Sequence, residues 1–480
     1  MGQPVLAFFI YIMRVRTKTI SALIFSLVVF CMTGLSYAQS KAPNIVLIVA
    51  DDLGIGDIGP YGQKMIRTPV LDRMASEGML FSDFYAGNTV CAPSRASLMT
   101  GQHSGHTLVR GNGEFPLDPD QKILPEYLKQ SGYATALFGK WGMGLLGSTG
   151  SPEKRGWDVF SGHLHHVDAH FQKPDSLDVL DRGLIQKQAI PEGMYANEYF
   201  TRLAEEFITE KKDQPFFLFL SYSVPHAELV LSPEAIQPYL DSKGESIFPN
   251  EQPWPHGRHY GPQRFPKAAY AGMVTFIDQQ VGKILETLKR QGVDENTIVI
   301  FTSDNGTHVE GGRSVNDIDF FKSSGIYRGQ KRDLYEGGLR VPFIVRWPAK
   351  IQAGATSGYR GVFWDLLPTF TQLAGKQAKD TDGISFAPTL LGKKSQKSHP
   401  HLYWEFHEFG GKQALLKDNW KIVRLNVSKE RYGQVELYDL SSDPTESNDL
   451  AGSMPEKARE LTVIMDSVRT SNPNFNFGYK

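Results

Sequence analysis

Apolar runs of strand length alternate with segments of helical period as far as about residue 370. Asn44–Ala50 (NIVLIVA), Thr135–Phe138, Pro215–Ser221 (PFFLFLS), Thr297–Thr302 (TIVIFT) and Phe343–Arg346 read as strands. Between them Val70–Glu77 and Leu124–Gln130 read as helices, and Ala268–Arg290 carries Met273, Ile277, Val281, Ile284 and Leu288 at helical spacing. This alternation predicts an α/β fold with a mainly parallel sheet flanked by helices. From about Asp380 the pieces become shorter and β-like, as at Trp420–Leu425 and Val435–Leu440, and a helix follows near Glu456–Arg469. The change of texture predicts a main domain over residues 39–375 and a smaller α+β subdomain over 376–480.

The N-terminus follows a different logic. Arg14, Arg16 and Lys18 precede the apolar stretch Ile20–Leu35, and Ser36-Tyr37-Ala38 supplies small residues at its end. That is the layout of a secretory signal over residues 1–38, cleaved after Ala38, with Met13 an alternative initiator to Met1. Phe30 is too bulky for a lipoprotein box before Cys31, and no later apolar run is long enough to span a bilayer. The expectation is therefore a periplasmic or secreted protein without a stable membrane span. Cleavage removes three basic residues and no acidic ones, so the formal charge of −1 becomes −4, which argues against a nucleic-acid binder. It also removes Cys31, leaving Cys91 as the single cysteine; an intrachain disulfide and a cysteine-built zinc site are both excluded.

Acidic clusters follow the two strongest strands: Asp51-Asp52 after NIVLIVA, and Asp304-Asn305 after TIVIFTS. Ligands of open α/β sheets collect at the carboxyl ends of the strands, so these groups can meet in one crevice. Three carboxylates and an amide oxygen suit a hard cation, Ca2+ or Mg2+, rather than zinc. Loop capping explains the same residues, because Asp and Asn favour turns. Cys91 opens CAPSRASLMTG, where Pro93 marks a helix start and Gly101 a stop. A helix N-terminus favours anions and lowers a thiol's pKa, and Arg95 offers a fork for an oxyanion. A buried structural cysteine is the alternative.

Cys91-Ala92-Pro93-Ser94-Arg95 with Thr100-Gly101 resembles the first signature of type I sulfatases, and Gly132-Tyr133-Ala134-Thr135 through Gly139-Lys140-Trp141 resembles their second. The resemblance covers nearly the whole mature chain. It implies the alkaline-phosphatase-like α/β fold, with a small C-terminal subdomain carrying an antiparallel sheet. It also implies that a maturation enzyme oxidises Cys91 to formylglycine, whose hydrate is the nucleophile. By the same match Asp51, Asp52, Asp304, Asn305 and the modified Cys91 hold Ca2+. Arg95 and Lys140 hold the nucleophile and the sulfate, Lys331 binds sulfate, and His226 stands close to the leaving-group oxygen. Such chemistry needs a cationic cradle for the sulfate oxygens and an acid for the departing alcohol, here His226 or Lys331.

One position departs from the family: Lys140-Trp141 continues with Gly142 where the resemblance implies a histidine that often hydrogen-bonds the hydrated nucleophile, and His308 is a candidate replacement donor. The stretch Gly162–His170 (GHLHHVDAH) fits no regular zinc spacing and reads instead as a polar loop whose His166 and His170 contact sulfate or sugar hydroxyls. Leu402–Glu408 (LYWEFHE) brings Trp404, Glu405 and His407, either a sugar-binding wall or strand core. With His308 these form the expected substrate contacts. The expected substrate is a sulfated carbohydrate, with galactan or carrageenan-type oligosaccharides among the candidates. The rival readings are a phosphonate or phosphodiester hydrolase of the same superfamily and a non-catalytic sulfoglycan-binding protein.

Overall fold

A computed structural model describes residues 42–430 and 433–477, so residues 1–38, read above as a secretory signal, lie outside the described residues together with their Cys31. Strand β1 (Asn44–Asp51) is free of solvent on both faces: Ile45, Leu47 and Val49 are as fully buried as Val46, Ile48 and Ala50. That is why its sequence shows no alternation. β1 lies between β8 (Phe216–Pro225) and β9 (Thr297–Ser303), parallel to both, and β4 (Ala134–Lys140) and β5 (Val159–His163) continue the parallel run beyond β8. Helices α4 (Ala196–Lys211) and α5 (Pro266–Arg290) share a core with Val46, Ile48 and Ala50 of β1. α5 starts on Pro266, which has no amide hydrogen to lose there, and ends on Lys289 and Arg290, which suit the negative end of its dipole.

Antiparallel strands close both flanks of this ten-stranded sheet. On one side β10 (Phe343–Arg346) pairs with β9, β2 (Met79–Phe81) with β10, and β11 (Ala355–Ser357) runs parallel to β2. On the other, the hairpin β6 (Ser176–Asp181) and β7 (Leu184–Ala189) follows β5. A short pair, β3 (Phe84–Tyr85) with β12 (Gly361–Val362), stands apart from the main sheet. The Phe343–Arg346 run is thus a buried strand, as its composition predicts, but antiparallel to its neighbour, because an apolar run reports burial and not direction.

Helices α1 (Pro69–Glu77), α2 (Cys91–Thr100) and α3 (Leu124–Lys129) lie near their expected bounds. α2 is buried along its entire length and stops at Gly101, whose φ of +69° is the left-handed cap that glycine adopts without strain. The C-terminal region forms a separate antiparallel sheet of β13 (Leu402–Phe406), β14 (Lys412–Lys417), β15 (Trp420–Leu425) and β16 (Gln434–Asp439), with α6 (Pro455–Ser467) packed on it.

Candidate active site

The parallel register of β1 and β9 pairs Ala50 with Ser303, so the two acidic pairs that follow leave the sheet side by side. The Asp304 amide donates to the Ala50 carbonyl at 3.0 Å, and the Asp52 amide donates to Asp304 Oδ1 at 3.1 Å. Asp52 has a φ of 62°, in the left-handed region that Asp enters more readily than most residues. Helix α2 delivers Cys91 to the same point, where its thiol donates to Asp51 Oδ1 at 3.3 Å. One ligand atom from each of Asp51, Asp52, Cys91 and Asp304 fits within 4.8 Å of the others, and all four residues are buried. Asn305 donates through Nδ2 to Asp52 Oδ1 at 2.6 Å, while its buried Oδ1 has no protein partner.

Cations surround this group. Lys140 Nζ donates to Asp51 Oδ2 at 2.6 Å, and Lys331 Nζ to Asp52 Oδ2 at 2.7 Å. Arg95 pairs with Asp304 Oδ2 through Nη2 at 2.8 Å and also donates to Ser221, whose hydroxyl donates to the Lys140 carbonyl. His226 Nε2 lies 2.9 Å from Lys331 Nζ, 3.2 Å from Asp52 Oδ2 and 3.0 Å from Glu310 Oε2. The catalytic and metal-type residues expected from the sequence are therefore in one cluster. Glu310, Ser221 and Arg332, which bonds Glu310 at 2.6 Å, belong to it and were not anticipated. Glu310 alone carried a signal, as a carboxylate shortly after Asp304-Asn305.

Burial acts unevenly on the three carboxylates. Burial pushes Asp304 up to about 6, and Asp51 adds to the effect. Against the same burial, Lys140, with help from His226 and Arg95, holds Asp51 well below the usual carboxylate range. Burial and the adjacent Asp51 push the Cys91 thiol up. This reverses the expectation from the helix N-terminus: desolvation among carboxylates outweighs the dipole. As a thiol, Cys91 is no ready nucleophile.

The expected substrate contacts divide. Histidine rings succeed one another from His165 through His166, His170 and His226 to His308, with centroid separations of 4.6, 6.3, 3.8 and 5.3 Å. His170 holds the Tyr260 hydroxyl through Nδ1 at 3.1 Å, and its buried Nε2 has no protein partner; the same is true of His166 Nδ1. His308 is different, being fully buried with both nitrogens used. Its Nδ1 accepts from the Glu310 amide at 3.1 Å, which leaves Nε2 to donate to the Pro225 carbonyl at 3.1 Å. It has no nitrogen left for a substrate or for the role vacant at Gly142.

Glu405 likewise corrects the sequence reading. Its buried carboxylate is bonded by Arg110 at 2.9 Å, Arg469 at 2.8 Å, the Tyr403 hydroxyl at 2.8 Å and His407 Nε2 at 3.0 Å, while Trp404 is core with its indole on the Ala86 carbonyl. His407 stacks on Phe477. Strand core and an ion cluster occupy Leu402–Phe406. Among the described residues, the metal-type groups do not include His163, His165, His166 or His170.

Comparison with known proteins agrees with this geometry. A family model described as sulfatase matches residues 43–376, and one described as N-sulphoglucosamine sulphohydrolase, C-terminal, matches residues 325–469. The chain is 29% identical to the N-acetylgalactosamine-6-O-sulfatase of Bacteroides thetaiotaomicron, over 90% of this chain and 94% of that one. It is 32% identical to the N-acetylgalactosamine-6-sulfatase of Rattus norvegicus, over 74% of this chain and 67% of the relative. Among solved structures, Ps i-CgsB in complex with k-i-k-neocarrahexaose aligns with a TM-score of 0.73 at 28% identity, covering 89% of this chain and 92% of that one.

Proposed function

Because the chain belongs to the type I sulfatase family, in its carbohydrate-sulfatase subgroup, and is therefore a sulfuric ester hydrolase, we propose that it is an exported, calcium-dependent enzyme that cleaves sulfate esters of a galactan-type saccharide through a formylglycine made from Cys91. The observation that carries this reading is the placement of Cys91 Sγ at the head of a buried helix, 3.3 Å from Asp51 and within one all-acidic ligand group. A thiol pushed up by those neighbours gains nothing as a thiol there; its oxidised successor gains a cation and an anion cradle. The relatives named for N-acetylgalactosamine 6-sulfate and the neighbour bound to a carrageenan oligosaccharide support the substrate class.

The residues fit a hard divalent cation. Asp51, Asp52 and Asp304 offer carboxylate oxygens, Asn305 Oδ1 is a buried acceptor without a partner, and the upward push on Asp304 is what a cation would reverse. When bound, the cation stabilises the anionic oxygens and the aldehyde hydrate of residue 91 supplies the attacking oxygen. Arg95 fixes Asp304 and the strand end at Ser221, so its part is positional. Lys140 and Lys331 point ammonium groups into the cluster from opposite carboxylates, a cradle for the equatorial sulfate oxygens. His170, with an open Nε2 beside His226, supplies a further contact to sulfate or sugar.

His226 Nδ1 sits 2.5 Å from the Ala227 carbonyl and so carries its hydrogen there, which makes Nε2 the atom that holds or gives the mobile proton. Glu310 Oε2, 3.0 Å from that nitrogen, and Lys331 Nζ, 2.9 Å from it, both face the same point. His226 or Lys331 hands a proton to the departing alcohol oxygen. Release of inorganic sulfate from a panel of saccharides that differ only in sulfate position tests the proposal. Galactose-type 6-sulfates or carrageenan sulfates are expected to turn over and Cys91→Ala to be inactive. Retained turnover in Cys91→Ala, or a preference for matched phosphate diesters, contradicts the reading.

A further inference from the structure

The vacancy at Gly142 has a structural counterpart. Gly142 adopts a φ of +73°, and a Cβ built there would meet His166 Cβ at 3.3 Å, closer than ordinary packing allows. The two segments are tied together: the Trp141 amide donates to the His163 carbonyl at 3.0 Å, and the Gly142 amide to the Leu164 carbonyl at 3.1 Å. The loop that follows β5 therefore lies directly against Gly142, and a side chain at 142 would crowd His166. His166 is the residue it places there. The ring is half-buried, its Nδ1 is shut off from solvent without a protein partner, and the charges acting on it include Lys140, Asp51 and Lys331, which also act on Cys91. Burial beside Lys140 pushes the imidazole down to about 3, so it is neutral and can either accept or donate one hydrogen bond.

We propose that His166 supplies the imidazole absent at position 142 and holds, by a hydrogen bond, the oxygen of the nucleophile derived from Cys91. The glycine and the histidine then form one device: a left-handed glycine leaves room, and a second loop brings the histidine against it. This inference rests on the reading of Cys91 given above, and it gives His166 a place at the reacting atoms rather than on the sugar.

The test uses the calcium-loaded, matured enzyme and the variants His166→Ala, His166→Gln and His170→Ala. Mass spectrometry of the peptide containing residue 91 comes first and is expected to show equal maturation in all four proteins; a wild-type thiol would overturn both readings. With maturation equal, His166→Ala is expected to lower kcat by about 10²-fold with KM unchanged, as for loss of one preorganised hydrogen bond. It should also speed capture of the aldehyde by an aminooxy probe, because the hydrate loses a partner. His166→Gln should recover part of both. Turnover in His166→Ala equal to wild type, or a raised KM with kcat unchanged, overturns the proposal, the second by making His166 a sugar contact. So does a loss of kcat with faster probe capture that appears in His170→Ala and not in His166→Ala.

Discussion

Two of the buried charge clusters among the described residues are built differently. Where the C-terminal sheet meets the Glu336–Leu339 turn, Lys421 Nζ lies 2.7 Å from Glu336 and 2.8 Å from Glu446, the Tyr85 hydroxyl donates to Glu336 at 2.8 Å, and Arg340 completes the shell. Each carboxylate has a protein cation or amide against it. In the active site the carboxylates of Asp51, Asp52 and Asp304 crowd one thiol, and Asn305 Oδ1, His166 Nδ1 and His170 Nε2 have no protein partner. Among the described residues, the first cluster forms no metal-type group. On the reading proposed above, the second takes guests of both signs, a cation among the carboxylates and an anion between Lys140, Lys331 and the imidazoles.

The contrast is sharpest when one lysine is removed from each. Lys421→Ala leaves Glu336 and Glu446 buried without their shared cation and is expected to cost about 3–5 kcal/mol of stability, whatever the calcium concentration. Lys140→Ala exposes Asp51 to a cation that can replace the lost charge. Its stability should recover with calcium while turnover stays down by about 10²–10³-fold. Urea unfolding of both variants with calcium and with chelator checks this. If calcium rescued Lys421→Ala as well, the two clusters would not differ as described.

A smaller effect concerns pH. Asp304, pushed up to about 6, binds its proton more tightly folded than unfolded, so the metal-free protein gains stability as pH falls from about 6 toward 3.8. A bound cation requires that carboxylate bare. The stabilisation given by calcium therefore shrinks as pH falls through about 6, by about 1.4 kcal/mol per unit. Glu336, held down to about 2 against its burial chiefly by Lys421, and Glu446, pushed up by burial to about 7, act equally with and without calcium and cancel in the difference. Tm with calcium minus Tm with chelator, followed from about pH 8 to about pH 5, should be flat and then fall. A flat difference throughout would remove Asp304 from the metal site.

Much of the site could be read from the sequence because adjacent parallel strands did the work. Asp51-Asp52 and Asp304-Asn305 each end an unbroken apolar run, and once β1 and β9 pair in register the four residues must converge. Cys91 was placed by helix punctuation, Pro93 and Gly101. What failed depended on contacts between distant loops. Glu405 pairs with Arg110 and Arg469, residues far from it in sequence that no local pattern links to it. His308 shares the loop that carries Glu310, and its nitrogens are consumed by backbone groups that only the folded loop presents. The direction of β10 and the burial of the thiol belong to the same class.

The central claim is that residue 91 is a cysteine only before maturation. The most direct measurement is the intact mass of the peptide carrying residue 91, from protein exported by a host that has a formylglycine-generating enzyme. The account predicts a mass reduced by the change from thiol to aldehyde, with an aminooxy probe adding to the same residue. An unmodified thiol throughout, in protein that still releases sulfate, would contradict it.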